Sequence, residues 1–247
     1  IAVPTKSLRT LFGHFSPPES SSIISLSKGI EKDTYLFPSE IIMSCTGRND
    51  DKICALSGPT HAEEVSMGVP SAVVVSGSNM TLNKKVQELL SSPAFRVYSN
   101  TDMKGVEISG AIKNVISIAS GMCIGLGFGD NTTAALITRG LNEIIRLGDF
   151  FGAEISTFYG LAGIGDLSVT AFSKHSRNRQ FGIKIAKGTT SADSIIEMGM
   201  IVEGYYTANA LNDIIIQNNL KMPISQSVYN ILYEDLSPKQ AIMDLMS

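Results

Sequence analysis

Short apolar runs alternate with polar or amphipathic stretches over the first hundred residues of the 247-residue chain. Runs of this length that are bounded by glycine, proline and small polar residues are typical of β-strands, and the stretches between them are typical of crossover helices. The pattern therefore predicts an α/β sheet. The predicted strands span residues 1–3, 23–27, 53–57, 72–76 and 95–99.

From about residue 103 onward, apolar positions recur at three- and four-residue spacing, which predicts helices to the end of the chain. We therefore expect the fold class to be α/β followed by all-α, with a boundary near Thr101 that divides residues 1–101 from residues 102–247. The predicted helices span residues 103–125, 130–152, 177–187, 191–199, 203–219, 224–235 and 238–246. The expected helix stops are Gly152, Gly188 and Gly199, and the expected helix starts are Pro223 and Pro238.

One long and mostly apolar stretch, residues 105–131, carries a lysine. Ile108 and Ile112 lie on one face of the predicted helix, whereas Lys113 lies on another face among small serines. A lysine ammonium is costly to bury without a partner, so its position indicates an acid/base or substrate-binding role. The same pattern fits a lysine that extends to solvent from a half-buried helix. Both interpretations remain open on spacing alone.

The composition is that of an ordinary globular protein, with 43% hydrophobic and 17% charged residues. The formal net charge is −3 and the basic residues are scattered, so neither nucleic acid nor an anionic membrane is indicated as a partner. Cys45, Cys54 and Cys123 are widely spaced, which predicts a reducing compartment and no zinc site. We expect a cytoplasmic location, because neither a membrane-span pattern nor a signal-peptide pattern is found. We expect no metal and no membrane span, because neither a ligand pattern nor an apolar run of about 20 residues stands out.

A turn after one predicted strand combines glycine with a hydroxyl group. Gly58 and Pro59 form the turn, and Thr60 has capping-box spacing to Glu63, which predicts a short helix that begins at Thr60. The Thr60 hydroxyl is either the cap of that helix or a group that holds an oxygen-rich ligand at its start.

A second glycine-rich stretch, residues 160–182, surrounds Asp166 and leads into an amphipathic helix. Ser176 can cap this helix, while the free N–H groups of its first turn and the Arg177 guanidinium form a good phosphate site. An arginine at an exposed helix start is the alternative interpretation. Two weaker indications are Lys28, which follows a predicted strand at the edge where ligands bind, and Glu203, which opens a predicted helix and equally fits a solvated face.

A set of motifs stands in a fixed order along the chain: Lys28-Gly29, Ser57-Gly58-Pro59-Thr60-His61-Ala62-Glu63-Glu64-Val65, Gly105-Val106-Glu107, Gly110-Ala111-Ile112-Lys113-Asn114, Gly129-Asp130-Asn131, Thr138-Arg139-Gly140, Gly163-Ile164-Gly165-Asp166-Leu167 and Ser176-Arg177-Asn178. Together they closely resemble bacterial-type NAD(P)-dependent glycerol-3-phosphate dehydrogenase. The resemblance runs from residue 1 to about Gly204 and more loosely to the end, and its motifs are long and specific.

The resemblance implies a fold and an activity. Residues 1–101 would be the C-terminal part of a Rossmann-type dinucleotide-binding domain, and residues 102–247 an all-α substrate-binding domain similar to the C-terminal domain of 6-phosphogluconate dehydrogenase. The enzyme would use NAD or NADP to reduce dihydroxyacetone phosphate reversibly to sn-glycerol 3-phosphate, which supplies glycerophospholipid synthesis. The family also suggests a homodimer.

The resemblance further implies roles for individual residues. Lys113 would be the general acid/base, and Asp166 would bind the substrate hydroxyl region and help to hold Lys113 charged. The implied substrate-binding residues are Lys28, Gly58, Thr60, Lys113, Asp166, Ser176, Arg177 and Asn178. The implied cofactor-binding residues are Lys28, Ala62, Arg177, Ile201 and Glu203.

The family's glycine-rich dinucleotide loop would precede the first motif, so we expect the chain to be N-terminally truncated and the 247 residues alone to be unable to hold the cofactor. Two alternatives stand beside this interpretation. One is a lysine-using reductase of a carboxylate substrate, such as a ketopantoate reductase or a β-hydroxyacid dehydrogenase, although Arg177 and Lys28 favour phosphate. The other is a shortened, non-catalytic chain that binds phosphate or serves in assembly.

Overall fold

The computed structural model describes residues 1–246, and its N-terminal part is built on a four-stranded sheet. The strands are β1 (Ile23–Ser25), β2 (Ile53–Ser57), β3 (Ser71–Ser76) and β4 (Phe95–Asn100), in the spatial order β1-β2-β3-β4. The β1–β2 and β3–β4 pairs are parallel, whereas β2 and β3 are antiparallel. The last four predicted strands are therefore confirmed, and they form a mixed sheet.

The antiparallel pair follows from the connection between β2 and β3. A parallel return needs a crossover that spans the sheet, usually a long helix. Here the chain turns at Gly58 and forms only the short helix α3 (Ala62–Ser66) before β3 begins. Helix α3 starts two residues later than expected. The Thr60 hydroxyl points toward the preceding turn and donates to the Gly58 carbonyl at 3.2 Å, so it does not cap the helix. The predicted cap at Thr60 is thus wrong, and His61 occupies the N-cap position without a side-chain bond.

The predicted strand at residues 1–3 is also wrong. The Ile1 amino group donates to the Ile24 carbonyl at 2.7 Å, and the Ile1 carbonyl accepts from the Leu26 amide at 2.9 Å. These bonds hold the first residue beside β1, but the chain leaves the sheet at once and enters a 3₁₀ turn at Thr5–Ser7. Three further helices, α1 (Leu8–His14), α2 (Pro38–Thr46) and α4 (Met80–Leu90), complete this part of the fold.

The remainder of the described chain is helical. Its elements are α5 (Met103–Gly125), α6 (Asp130–Phe150), α7 (Ile155–Phe158), a π-helical turn (Leu161–Gly165), α8 (Asp166–Phe172), α9 (Arg177–Ala186), α10 (Ser191–Met198), α11 (Glu203–Gln217), α12 (Pro223–Tyr233) and α13 (Pro238–Met246). All seven predicted helices are confirmed to within two residues, and Gly152, Gly188 and Gly199 have the positive φ angles of helix stops. The domain boundary near Thr101 stays a prediction.

Helix α5 is the core of the helical part. Every residue from Gly105 to Cys123 is buried, because α6, α8, α9 and α11 pack around it. The two faces expected from the periodicity are therefore both covered. Among the described residues, α5 is the one helix long and apolar enough to cross a membrane, which corrects the expectation that no run reaches that length, but 89% of its apolar window is buried inside the protein.

Glycines allow α5 and α9 to approach closely. A Cβ atom on Gly121 would overlap the Arg179 carbonyl oxygen, and one on Gly182 would overlap the Ile118 carbonyl oxygen. On the next turn, a Cβ on Gly125 would lie 2.7 Å from the Ala186 Cβ. The two helices are thus in backbone contact over about two turns.

Two buried glutamates each hold the start of a neighbouring helix. Glu107 of α5 accepts from the Ser39 amide at 2.7 Å and from the Ser39 hydroxyl at 2.6 Å, at the first turn of α2. Glu143 of α6 accepts in the same way from the Ile224 and Ser225 amides and the Ser225 hydroxyl, at the first turn of α12. Burial raises the pKa of Glu107 to about 7 and also raises the pKa of Glu143.

Candidate active site

A buried cluster of charges lies where α5 meets α8. The Lys113 Nζ donates to Asp166 Oδ1 at 2.5 Å and to Thr170 Oγ1 at 2.8 Å, and Lys113 is only 7% exposed. Thr170 in turn donates to the Asp166 carbonyl at 2.6 Å, one helical turn earlier on α8. The lysine is therefore buried with a partner, and the interpretation that it extends to solvent is wrong.

Asp166 is shared between two lysines. Its Oδ2 accepts from Lys28 Nζ at 2.6 Å and from the Ser57 hydroxyl at 3.3 Å, while its Oδ1 accepts from Lys113 Nζ. Burial by itself raises the pKa of Asp166, but the two ammonium groups lower that pKa by more than burial raises it, so the net shift is downward. Asp166 is ionised, and the cluster of two lysines and one aspartate carries one net positive charge when both lysines are protonated.

The electrostatics of Lys113 are those of a group that exchanges protons near neutral pH. Burial lowers its pKa to about 8; Asp166 opposes this shift, and repulsion from Lys28 adds to it. A buried lysine with a lowered pKa and a fixed carboxylate partner is a candidate acid/base at a functional site.

The glycine-rich stretch before Asp166 explains its position. Gly163 has non-helical φ and ψ angles within the π-helical turn, and a Cβ there would overlap the Phe158 backbone. Only glycine fits this bend, after which α8 begins at Asp166 and directs the carboxylate toward α5.

The sheet contributes the other side of the site. Lys28 lies in the loop that follows β1, and its side chain passes over Gly110, where a Cβ would lie 3.2 Å from Lys28 Cγ. Ser57 ends β2, and the turn that follows brings Pro59 against Gly165, with 3.6 Å between Pro59 Cγ and a Cβ built on that glycine. Gly58 and Thr60 therefore lie next to the start of α8.

The start of α9 lies on the same side. Ser176 caps the helix by accepting from the Arg179 amide at 3.2 Å, and its hydroxyl is 3.1 Å from that of Ser117. Arg177 is exposed, and the first N–H groups of a helix have no intrahelical partner. Asn178 is buried, and it donates to Asn114 Oδ1 at 3.0 Å and accepts from the Gly204 amide at 2.9 Å.

Glu203 begins α11 beside these residues, and its side chain lies against the loop that follows β1. A Cβ on Gly29 would lie 2.8 Å from Thr5 Oγ1 and 3.0 Å from Glu203 Oε2. Burial raises the pKa of Glu203 to about 7, although the Thr5 amide, Lys6 and Arg177 all stabilise its charge. Within residues 1–246, Glu203 Oε1 and Thr5 Oγ1 are buried without a hydrogen-bond partner. Such atoms fit a polar ligand group at this position.

Hydrogen bonds join several of the predicted site residues into a network. Asp166 bonds directly to Lys28 and Lys113, and Ser176 is linked to Thr170 through the Ser117 hydroxyl, whereas Asn178 bonds to Asn114 and to the Gly204 amide. Ala62 is exposed and Ile201 is half-buried, and neither makes a contact that joins it to this network. Among the described residues, no group of three His, Cys, Asp or Glu side chains lies close enough to hold a metal ion.

Three residues that lie beside the predicted site residues were not assigned a role from the sequence. Thr170 could have been found, because it stands four residues after Asp166 on a helix and so shares its face. Ser57 lies within a motif but only the fold brings its hydroxyl to Asp166. Thr5 carries no local signal, since its neighbour Glu203 is 198 residues away.

A Rossmann-like sheet joined to a helical part, with a buried lysine–aspartate pair where the two meet, defines the protein as a dehydrogenase. Residues 1–83 match the family model "NAD-dependent glycerol-3-phosphate dehydrogenase N-terminus", and residues 102–243 match "NAD-dependent glycerol-3-phosphate dehydrogenase C-terminus". The chain belongs to the family of NAD-dependent glycerol-3-phosphate dehydrogenases.

Known proteins agree with this assignment. The chain is 44% identical to the glycerol-3-phosphate dehydrogenase [NAD(P)+] of Halothermothrix orenii, over 100% of this chain and 72% of that protein. It superimposes on the crystal structure of glycerol-3-phosphate dehydrogenase from Coxiella burnetii with a TM-score of 0.95 and 35% identity, over 100% of this chain and 76% of the other. A ketopantoate reductase from Ralstonia eutropha, at 10% identity and a TM-score of 0.56 over 97% and 75% of the two chains, shares the fold alone.

Proposed function

We propose that the protein catalyses the reversible, NAD(P)H-dependent reduction of dihydroxyacetone phosphate to sn-glycerol 3-phosphate, and so supplies glycerophospholipid synthesis. The observation that carries the proposal is the buried Lys113–Asp166 pair in a chain of this family. A carbonyl reduction needs a proton at the oxygen as the central carbon accepts hydride, and the bound nicotinamide supplies that hydride.

Lys113 is the proton donor in this proposal. Its ammonium donates to the ketone oxygen and stabilises the developing alkoxide, and the neutral amine accepts the proton in the reverse direction. Asp166 orients Lys113 through the 2.5 Å bond and keeps its ammonium form populated, while Thr170 fixes the same Nζ from a second direction. Lys28 shares the carboxylate and adds positive charge beside the substrate.

The start of α9 holds the phosphate in this proposal. Arg177 is exposed there, and the free N–H groups and positive end of the helix favour a dianion. Ser176 and Asn178 support this site from within the protein, since both are buried and bonded to α5. Lys28, Ala62, Arg177, Ile201 and Glu203 would hold the cofactor, and the partnerless Glu203 Oε1 supports that assignment.

A carboxylate substrate is the second candidate, because a ketopantoate reductase shares the fold. A helix start with an arginine favours phosphate, which presents more oxygens to such a site than a carboxylate does. The homodimer and the cytoplasmic location belong to this proposal as well. Free Cys45, Cys54 and Cys123 support a reducing compartment, and light scattering measures the assembly.

The test is the loss of reduced-nicotinamide absorbance when the product of the complete gene meets dihydroxyacetone phosphate. Ketopantoate and the 247-residue chain are run beside it, with Lys113→Ala as the variant that lacks the proton donor. Turnover of dihydroxyacetone phosphate but not ketopantoate supports the proposal. Equal turnover of both, or none with dihydroxyacetone phosphate, contradicts it.

A further inference from the structure

A buried hydroxyl group on α5 connects two helices of the site. Ser117 is fully buried and stands one helical turn after Lys113, on the same face of α5. Its hydroxyl donates to the Thr170 carbonyl of α8 at 2.9 Å and lies 3.1 Å from the Ser176 hydroxyl, which caps α9. One side chain thus contacts both the helix that holds the Lys113 ammonium and the helix that begins with Arg177.

The direction of these hydrogen bonds follows from the number of protons. A serine hydroxyl has one proton to donate, and Ser117 gives it to the Thr170 carbonyl. Ser176 is therefore the donor in the bond between the two hydroxyls, and its own oxygen accepts from the Arg179 amide at 3.2 Å. Ser117 thus holds the Ser176 hydroxyl in the orientation that caps α9.

A second serine makes half of the same contact. Helix α8 ends at Phe172, so its final carbonyls have no intrahelical N–H partner. Ser117 donates to the Thr170 carbonyl, and Ser120, on the same side of α5, donates to the Ala171 carbonyl at 2.9 Å. Both serines are fully buried, but within the described residues only the Ser117 hydroxyl also bonds to the start of α9.

We propose that Ser117 is a positioning residue for the substrate phosphate: through Ser176 it fixes the start of α9, and with it Arg177, relative to Lys113. The inference rests on the proposed function, in which the start of α9 binds the phosphate and Lys113 donates the proton. Ser117 is buried beneath both groups and acts on the substrate only through them. Such positioning matters because a displacement of about 1 Å between reacting groups can cost roughly a hundredfold in rate.

The loss of the Ser117 hydroxyl would affect the two ends of the site unequally. Alanine would free the Ser176 hydroxyl to rotate, so the first turn of α9 would hold its N–H groups and Arg177 less firmly. The Lys113 ammonium would keep its own bonds to Asp166 and to the Thr170 hydroxyl, which do not involve Ser117. We therefore expect the Michaelis constant to change more than the turnover number.

The experiment is steady-state kinetics of dihydroxyacetone phosphate reduction with the product of the complete gene. Ser120→Ala is the matched control for Ser117→Ala, because each removes a fully buried hydroxyl that donates to α8 at 2.9 Å. Ser117→Ala should raise the Michaelis constant roughly three- to tenfold, the effect of about one hydrogen bond, with the turnover number within about twofold of wild type. Ser120→Ala should change neither constant, although urea unfolding should show a similar loss of stability in both variants.

A double-mutant cycle with Ser176→Ala tests the route of the effect. Because Ser117 acts through the Ser176 hydroxyl, Ser117→Ala should raise the Michaelis constant by less than about twofold once Ser176 is alanine. A general loosening of the core would instead give additive effects. Ser117→Cys keeps a weak donor at this position and should have an intermediate effect, and it gives the same comparison if the alanine variant does not fold.

Three results would overturn the inference while the proposed function stands. The first is a Michaelis constant that Ser117→Ala changes no more than Ser120→Ala does, and the second is an additive cycle with Ser176→Ala. The third is a lower turnover number with an unchanged Michaelis constant, which would place the effect of Ser117 at Lys113. A wild-type protein that does not reduce dihydroxyacetone phosphate would overturn both the proposed function and the inference.

Discussion

Glu107→Gln should change how the stability of the protein depends on pH. The Glu107 side chain is 5% exposed and bonds to the first turn of α2 through Ser39, with Lys104 and Glu40 as the nearest other charges. Glutamine keeps the size of the side chain and an acceptor for the Ser39 amide. The substitution therefore removes the titration and leaves most of the contact.

The magnitude follows from linkage. Burial raises the pKa of Glu107 from 4.5 to about 7, so the folded protein holds a proton that the unfolded chain has lost between these values. The stabilisation is present below pH 4.5 and is lost as the pH rises through 7. Between pH 5 and pH 8, the wild type should lose roughly 2 to 3 kcal/mol of unfolding free energy relative to the glutamine variant, since each pKa unit corresponds to about 1.4 kcal/mol.

The assay is urea unfolding at a series of pH values. The chain has no tryptophan, so far-ultraviolet circular dichroism is the readout. The difference between wild type and variant isolates Glu107 from other titrating groups, and Glu19→Gln, in an exposed turn, controls for the loss of one carboxylate. A difference that stays constant from pH 5 to pH 8 would refute the reasoning, since Glu107 would then have the same charge in both states throughout.

Three further substitutions test the site and the packing. Lys113→Ala should lower turnover of dihydroxyacetone phosphate by about two orders of magnitude or more with a smaller effect on substrate affinity, and near-normal turnover would exclude Lys113 as the acid/base. Arg177→Ala should raise the Michaelis constant for dihydroxyacetone phosphate steeply, and an unchanged constant would remove Arg177 from the phosphate site. Gly121→Ala should destabilise the protein by roughly 2 kcal/mol or more in urea unfolding, because its Cβ would overlap the Arg179 carbonyl, whereas Gly13→Ala in α1, with open space around it, should be neutral or slightly stabilising.

Local pattern was sufficient for seven of the helices of the second half. Their periods are long and glycine or proline marks their ends, so the predicted stretch at 103–125 coincides with α5 (Met103–Gly125). Local pattern failed at Thr60 because capping-box spacing occurs in turns as well, and here the hydroxyl bonds to Gly58 instead. It also missed α8, since the glycines before Asp166 hide a helix of only seven residues.

The chemistry of the site depends on contacts that no local pattern contains. Whether Lys113 is buried or extends to solvent depends on Asp166, which lies 53 residues away in the chain. The orientation of β3 and the approach of Thr5 to Glu203 are of the same kind. The motifs predicted a set of site residues through their resemblance to a family, whereas the fold shows which of their atoms are in contact.

The glycine contact between α5 and α9 sets the scale of the substrate site. Lys113 lies on α5 and Arg177 begins α9, so in the proposed function the distance from the proton donor to the phosphate site depends on the spacing of the two helix axes. That spacing is fixed at Gly121, Gly125 and Gly182, where no side chain keeps the backbones apart. Any side chain added at these glycines would push α5 and α9 apart, so in the proposed function it would alter substrate binding without touching the substrate.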